Sequence, residues 1–183
     1  MFSTKKSLRL VFLLLLLMGV TSCVKDVDLS KAEEISLQPD MQVDLLIFEV
    51  TEQDFIDFGT NQARTVIRDT VRLEFLDDDY IQNDLEEVEL SFKYINSFPQ
   101  QFKSSISFLS ESDRKQYQVD FDVDPGNKNN PVPTEWIEYI DNSNIGAIKR
   151  SIKMVVELEV LPNAQEFSGT LNFQSKGLFS FQF

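Results

Sequence analysis

One cysteine, no histidine and thirty carboxylates define the side-chain chemistry open to this chain of 183 residues. A cysteine thiolate is a strong nucleophile, and imidazole is the usual base that activates nucleophiles and one of the commonest metal ligands. With Cys23 alone and no imidazole, Ser-His-Asp and Cys-His catalysis, zinc centres of the Cys/His type and histidine-ligated haem are excluded. A disulfide within the chain is excluded as well. Carboxylate chemistry remains: paired acids of the kind that hydrolyse glycosides, and oxygen cages for calcium.

Asp77-Asp78-Asp79, with Asp69 and Asp84 nearby, is the densest acidic run. Three adjacent carboxylates repel one another, so they require either full solvation in a turn or a cation, for which weak calcium binding is the candidate. Asp120, Asp122 and Asp124 begin as a calcium loop would. However, Pro125 displaces the required glycine to Gly126, and the twelfth position is Pro131 where a bidentate glutamate belongs. Those three aspartates therefore read as the polar face of a strand. Trp136 and Tyr139 are the remaining candidates. In the stretch 134–140, Trp136, Ile137 and Ile140 fall at i, i+1 and i+4 behind Thr134, a good N-cap, which predicts a short amphipathic helix. The two rings would form a platform for a sugar, or Trp136 would plug the end of a core. Among thirty carboxylates, no catalytic pair is distinguished by spacing.

The N-terminus is organised differently. Lys5, Lys6 and Arg9 precede an apolar run from Leu10 to Met18, with leucine at every position from 13 to 17. A spanning helix needs about 20 apolar residues, and this run is shorter and gives way to Thr21 and Ser22. A cationic start, a short apolar centre and small residues at the end make an export signal. Its last four residues, Val20-Thr21-Ser22-Cys23, resemble the lipobox of bacterial lipoproteins. That resemblance implies a diacylglycerol thioether at Cys23, cleavage after Ser22 and acylation of the new amino group. Two or more acyl chains anchor a protein stably at a bilayer, where one does not. Lys25-Asp26-Val27-Asp28 resembles the lysine-plus-acid tracts that send Bacteroidota lipoproteins to the cell surface, with Val27 interrupting the acids. Position 24 is valine, so the aspartate signal for inner-membrane retention in enterobacteria is missing. The resemblance thus implies an outer-membrane lipoprotein and leaves its periplasmic and cell-surface faces both open.

Loss of residues 1–22 removes three bases and no acid, leaving 14 bases, 30 acids and a net charge of about −16. Such a surface repels nucleic-acid phosphates and anionic headgroups, so the acyl chains would do the anchoring. The sequence divides into a signal peptide at 1–22, a lipidated acidic tether at 23–40 that Pro39 closes, and a domain at 41–183.

In that domain the hydrophobic period is two. Val43, Leu45 and Ile47, with Phe48 and Val50 on the other face, predict a central strand. Val71, Leu73 and Phe75; Val88 to Tyr94; Phe102 to Phe108; Tyr117 to Val123; and Ile152 to Val160 predict five more. Leu171-Phe173 and Phe179-Phe183 predict a closing hairpin around Lys176-Gly177. Short helical turns are expected at 52–58 and 144–150. About eight strands with one apolar face each predict a single antiparallel β-sandwich, immunoglobulin-like or related. The final Phe179-x-Phe181-x-Phe183 resembles the C-terminal signal of outer-membrane barrels, but charged residues such as Arg72, Glu89 and Glu157 occupy the faces a barrel would turn to lipid.

The expectation for function is a lipid-anchored, non-catalytic binding or structural accessory to another envelope protein. The alternative is a module that binds surface glycans, or ligands with the aid of calcium, through Trp136, Tyr139 and the acidic loops. Metabolic labelling with palmitate tests the anchor. Label is expected on the native chain and absent from Cys23→Ala, which should also leave the membrane fraction.

Overall fold

The structure is a computed structural model that describes residues 38–182. The signal peptide, Cys23 and the tether up to residue 37 lie outside the described residues, as does Phe183. Ten strands are found: β1 (Asp40–Thr51), β2 (Ile56–Asp57), β3 (Gln62–Ala63), β4 (Val66–Arg72), β5 (Leu85–Asn96), β6 (Gln101–Leu109), β7 (Lys115–Val123), β8 (Val132–Ile140), β9 (Lys153–Leu161) and β10 (Thr170–Phe181). Two antiparallel four-stranded sheets, β1-β10-β5-β8 and β4-β9-β6-β7, pack as a sandwich, and β2-β3 is a small separate hairpin.

The connectivity is nested. β1 pairs with β10, β4 with β9, β5 with β8, and β6 with β7. The chain is thus one long hairpin, its tip between β6 and β7, rolled until β10 also meets β5 and β6 meets β9. That is the jelly-roll arrangement of eight strands, not the immunoglobulin one. The expected sandwich is present, and its wiring is now specified.

Alternation explains why these segments are strands. Every second residue of β9 and β10 is buried, and β5 is buried at Val88, Leu90, Phe92, Tyr94 and Asn96. Phe92, Phe98, Phe102, Phe108, Phe173 and Phe179 are fully buried between the sheets. Each such ring contributes roughly 1.5–3 kcal/mol relative to exposure.

Four expectations are corrected. β1 is an edge strand, not a central one. It looked two-sided because a bulge after Asp44 inserts Leu45 as an extra residue, so the inward phase passes from Val43 and Leu45 to Leu46, Phe48 and Val50. β4 ends at Arg72; Leu73 and Phe75 belong to the turn and 3-10 segment (Glu74–Asp77) that follow it. Lys176-Gly177 is not a hairpin turn but the middle of β10, pairing with Asp44 and Val43 on one side and Ser91 and Leu90 on the other. Glycine is needed there because a Cβ would lie 2.5 Å from the Phe179 ring. Finally, 134–140 is strand β8 and not a helix. The expected helical turns are found at Glu52–Phe55 and Ile145–Lys149.

The two poles of the sandwich differ. Pro39 and Asp40 lie beside Ser180 and Phe181, so the chain comes in and β10 leaves at one pole. The loops 52–65, 97–100, 124–131 and 162–169 crowd the other. Buried Asn96 ties that second pole together, donating to the carbonyls of Gln100 (3.0 Å) and Asp124 (2.8 Å) and accepting from the Phe98 N–H (2.8 Å). Gly126 packs so closely that a Cβ would lie 1.9 Å from the Asn96 carbonyl oxygen. Gly126→Ala should therefore cost about 3 kcal/mol in denaturant unfolding, since backbone would have to move. Gly59→Ala, whose new methyl would meet only the Asp57 carboxylate at 3.3 Å, should stay within about 1 kcal/mol of the native value.

Candidate functional site

The open side of the sandwich lies where β8, edge of the first sheet, runs along β7, edge of the second. Strand pleating sends Thr134, Trp136, Glu138 and Ile140 toward the partner sheet and Pro133, Glu135, Ile137 and Tyr139 outward. The Trp136 indole stacks on Phe121 of β7 with ring centroids 5.5 Å apart and planes 6° from parallel. Phe121 in turn stacks on Phe92 in the core. Trp136 Nε1 donates to Glu138 Oε2 at 3.0 Å, and the Tyr117 hydroxyl donates to Glu138 Oε1 at 2.6 Å. One carboxylate thus bridges a ring on each strand and ties the two edges across the seam. Trp136 remains 40% exposed, so the seam is sealed by a ring whose rim meets solvent.

Tyr139 sits on the opposite face of β8 and is 71% exposed. The two expected platform rings therefore point to different sides of the sheet and do not form a common surface. Ile137, 50% exposed, is the outward neighbour of Tyr139. Three of the eight exposed large hydrophobics among the described residues thus fall within positions 136–139, which singles out β8 among the four sheet edges.

Charge at this seam is held by neighbours. Partial burial and the Glu138 carboxylate push the Tyr117 hydroxyl up to about 12. Tyr139 is raised by its bond to Glu89. Deeper in, the Tyr94 hydroxyl of β5 meets Ser104 Oγ of β6 at 2.9 Å, a polar link between sheets in which burial raises the phenol strongly.

The acidic candidates are dispersed. Asp77 closes the 3-10 segment, Asp78 links it to the next helix and Asp79 opens that helix (Asp79–Asp84). All three are exposed, and among the described residues no three acidic side chains converge as a metal cage would require. Asp120 and Asp122 lie on the outer face of β7, as alternation predicted. Asp120 is held below the usual carboxylate range by Gln118, which donates to both of its oxygens at 2.8 Å.

No family model matches the chain, and no curated protein matches it either. Solved structures with a similar course of chain include the VP2 subviral particle of infectious bursal disease virus, at 7% identity and a TM-score of 0.43, with 79% of this chain covered. A protein of Parabacteroides distasonis described as secreted aligns over 62% of this chain at 15% identity and a TM-score of 0.48. The enzymatically active domain of a bacteriophage CBA120 tailspike aligns over 78% at 11% identity and 0.38. This chain spans about a third of the first two and 19% of the third. No described helix is long and apolar enough to cross a membrane.

Sequence reasoning missed Tyr117, Phe121 and Glu138 as partners of Trp136. The signal was available: Thr134, Trp136, Glu138 and Ile140 alternate, and a proline within a strand-like run, here Pro133, marks an edge. Because Tyr117 ionises later in the fold than in the unfolded chain, its share of stability is complete below pH 10 and declines as pH rises from 10 toward about 12. Glu138→Gln should bring the Tyr117 pKa down toward 10, measured by ultraviolet titration of tyrosinate, and should flatten that alkaline decline.

Proposed function

We propose that this chain is a lipid-anchored protein of a bacterial outer membrane that acts as a non-catalytic accessory, pairing with another envelope protein through the edge of β8. The observation that carries the reading is the concentration of exposed Trp136, Ile137 and Tyr139 on one sheet edge. A free edge offers a row of backbone donors and acceptors to an incoming strand, and flanking apolar side chains add specificity. The other edge of that sheet, β1, exposes Ile47 alone among its large hydrophobics. Support for the anchor comes from the lipobox-like Val20-Thr21-Ser22-Cys23, and support for a non-catalytic role from the lack of histidine and of any second cysteine.

The polarity of the domain suits such an anchor. The chain comes in at the Pro39 pole, and β1 carries it twelve residues, about 40 Å at 3.3 Å per residue, to the opposite loops. β8 runs along the side of the molecule between these poles, where a neighbour standing on the same bilayer reaches it. A photo-reactive benzophenone residue placed at Tyr139 in intact cells tests the edge. It should yield a discrete adduct with one envelope protein, abolished by Ile137→Lys, whereas the same probe at Ser107 on the other sheet should yield none. Equal adducts from both positions, or none from position 139, would refute the proposal.

A further inference from the structure

A second feature, at the loop pole and separate from β8, carries an assignment of its own. A cavity of about 360 Å³ opens there between the 52–65 and 162–167 segments. Its walls are mostly apolar, with Phe55, Ile56, Val160, Pro162 and Phe167 among them. Volumes of this order hold small ligands or a chain end.

Two residues of the lining, Gln100 and Arg64, carry polar groups that the fold leaves short of partners. Gln100 is 2% exposed, and both hydrogens of its amide are spent: Nε2 donates to Asn163 Oδ1 at 2.9 Å and to the Gln165 carbonyl at 3.1 Å. These bonds fix which end of the amide is the carbonyl. Its Oε1 is buried and accepts no hydrogen bond. A buried acceptor without a donor costs about 1–3 kcal/mol, and buried polar atoms in folded proteins rarely stay unpaired.

The second group is Arg64. Its Nε donates to the Asp54 carbonyl at 2.9 Å, but among the described residues its guanidinium makes no ion pair. The acids around it are occupied locally. Asp54 accepts from the N–H and hydroxyl of Thr51, Asp57 from Gly59 and Thr60, and Glu52 from Ser168 and Gly169. Arg64 is exposed, feels the Asp57 charge and lines both this cavity and a neighbouring one, so its outer nitrogens are open to an anion that enters either.

We infer that this cavity binds the carboxyl-terminal end of an apolar peptide. The terminal carboxylate takes the outer nitrogens of Arg64, the last apolar side chain enters between Phe55, Val160 and Phe167, and the lining shifts to let a peptide N–H reach Gln100 Oε1, which is closed to solvent in the free fold. A fatty acid supplies the anion and the apolar body but no N–H, so Gln100 favours the peptide. Phe58, 83% exposed at the tip of the adjoining β2-β3 hairpin, offers further apolar surface to the residues upstream. The assignment depends neither on lipid at Cys23 nor on the edge of β8.

Hydrogen-exchange mass spectrometry of the full chain in neutral detergent tests it, with acetyl-Val-Phe, the same peptide amidated, and octanoate as probes. The free acid should bind saturably and protect 52–65, 97–101 and 160–167. The amidated peptide, octanoate, and the Arg64→Gln variant with the free acid should each bind about tenfold more weakly or worse. Ala63→Phe, which puts a ring into the cavity and keeps the Gln100 and Arg64 side chains themselves, should abolish protection while its peptide-free exchange stays native. Equal protection by octanoate would remove the role of Gln100. No saturable protection by the free acid, or protection unchanged in both variants, would overturn the site.

Discussion

β10 holds the first sheet together, because it is the neighbour that β1 and β5 share, and it buries a residue at every second position from Leu171 to Phe181. Its inner row is not uniformly apolar. Ser175 stands in the middle, 1% exposed, where the bulge of β1 leaves a backbone pair out of the ladder. Its hydroxyl accepts from the Leu46 N–H at 3.0 Å and donates to the Leu46 carbonyl at 3.1 Å. One side chain thereby satisfies both groups that an extra residue would otherwise strand, and the bulge keeps Phe48 and Val50 turned inward. Remove β10, and the first sheet falls into an unpaired β1 and a two-stranded remnant.

Much of this was readable from the residues, and the failures have physical causes. Alternation located β5, β6, β7 and β9 because each is wet on one side only, so period and burial agree. The strand count came out near eight through two offsetting errors. β10 was divided at Lys176-Gly177, since glycine in a strand usually marks a turn, whereas here it makes room for a neighbouring ring. β8 reads as a helix, since Trp136, Ile137 and Ile140 fit a helical stripe when Ile137 is counted as buried. Ile137 is outward instead, and an exposed apolar residue on an edge strand defeats any pattern that equates hydrophobic with internal. The nested wiring left no local trace at all, since pairing of β1 with β10 joins residues about 130 positions apart.

The same distinction runs through the candidate sites. Trp136 was legible as a residue of interest by its rarity, but its partners Phe121 and Tyr117 come from another sheet and are set by tertiary packing. Gln100 and Arg64 carried no signal in their own neighbourhoods. What marks them is a buried acceptor without a donor and an exposed cation outside any ion pair among the described residues. The aspartates that stand out by density, Asp77, Asp78 and Asp79, are all exposed, and among the described residues no three acids converge. Local density of charge and availability of charge are different properties.

Nested pairing also dictates an order of events. β1 requires β10, the strand most distant from it along the domain, so the first sheet closes only after the strands between them exist. Contacts this remote close slowly, because loop entropy is lost before they form. The roll-up of the hairpin therefore ties completion of the first sheet to the arrival of β10.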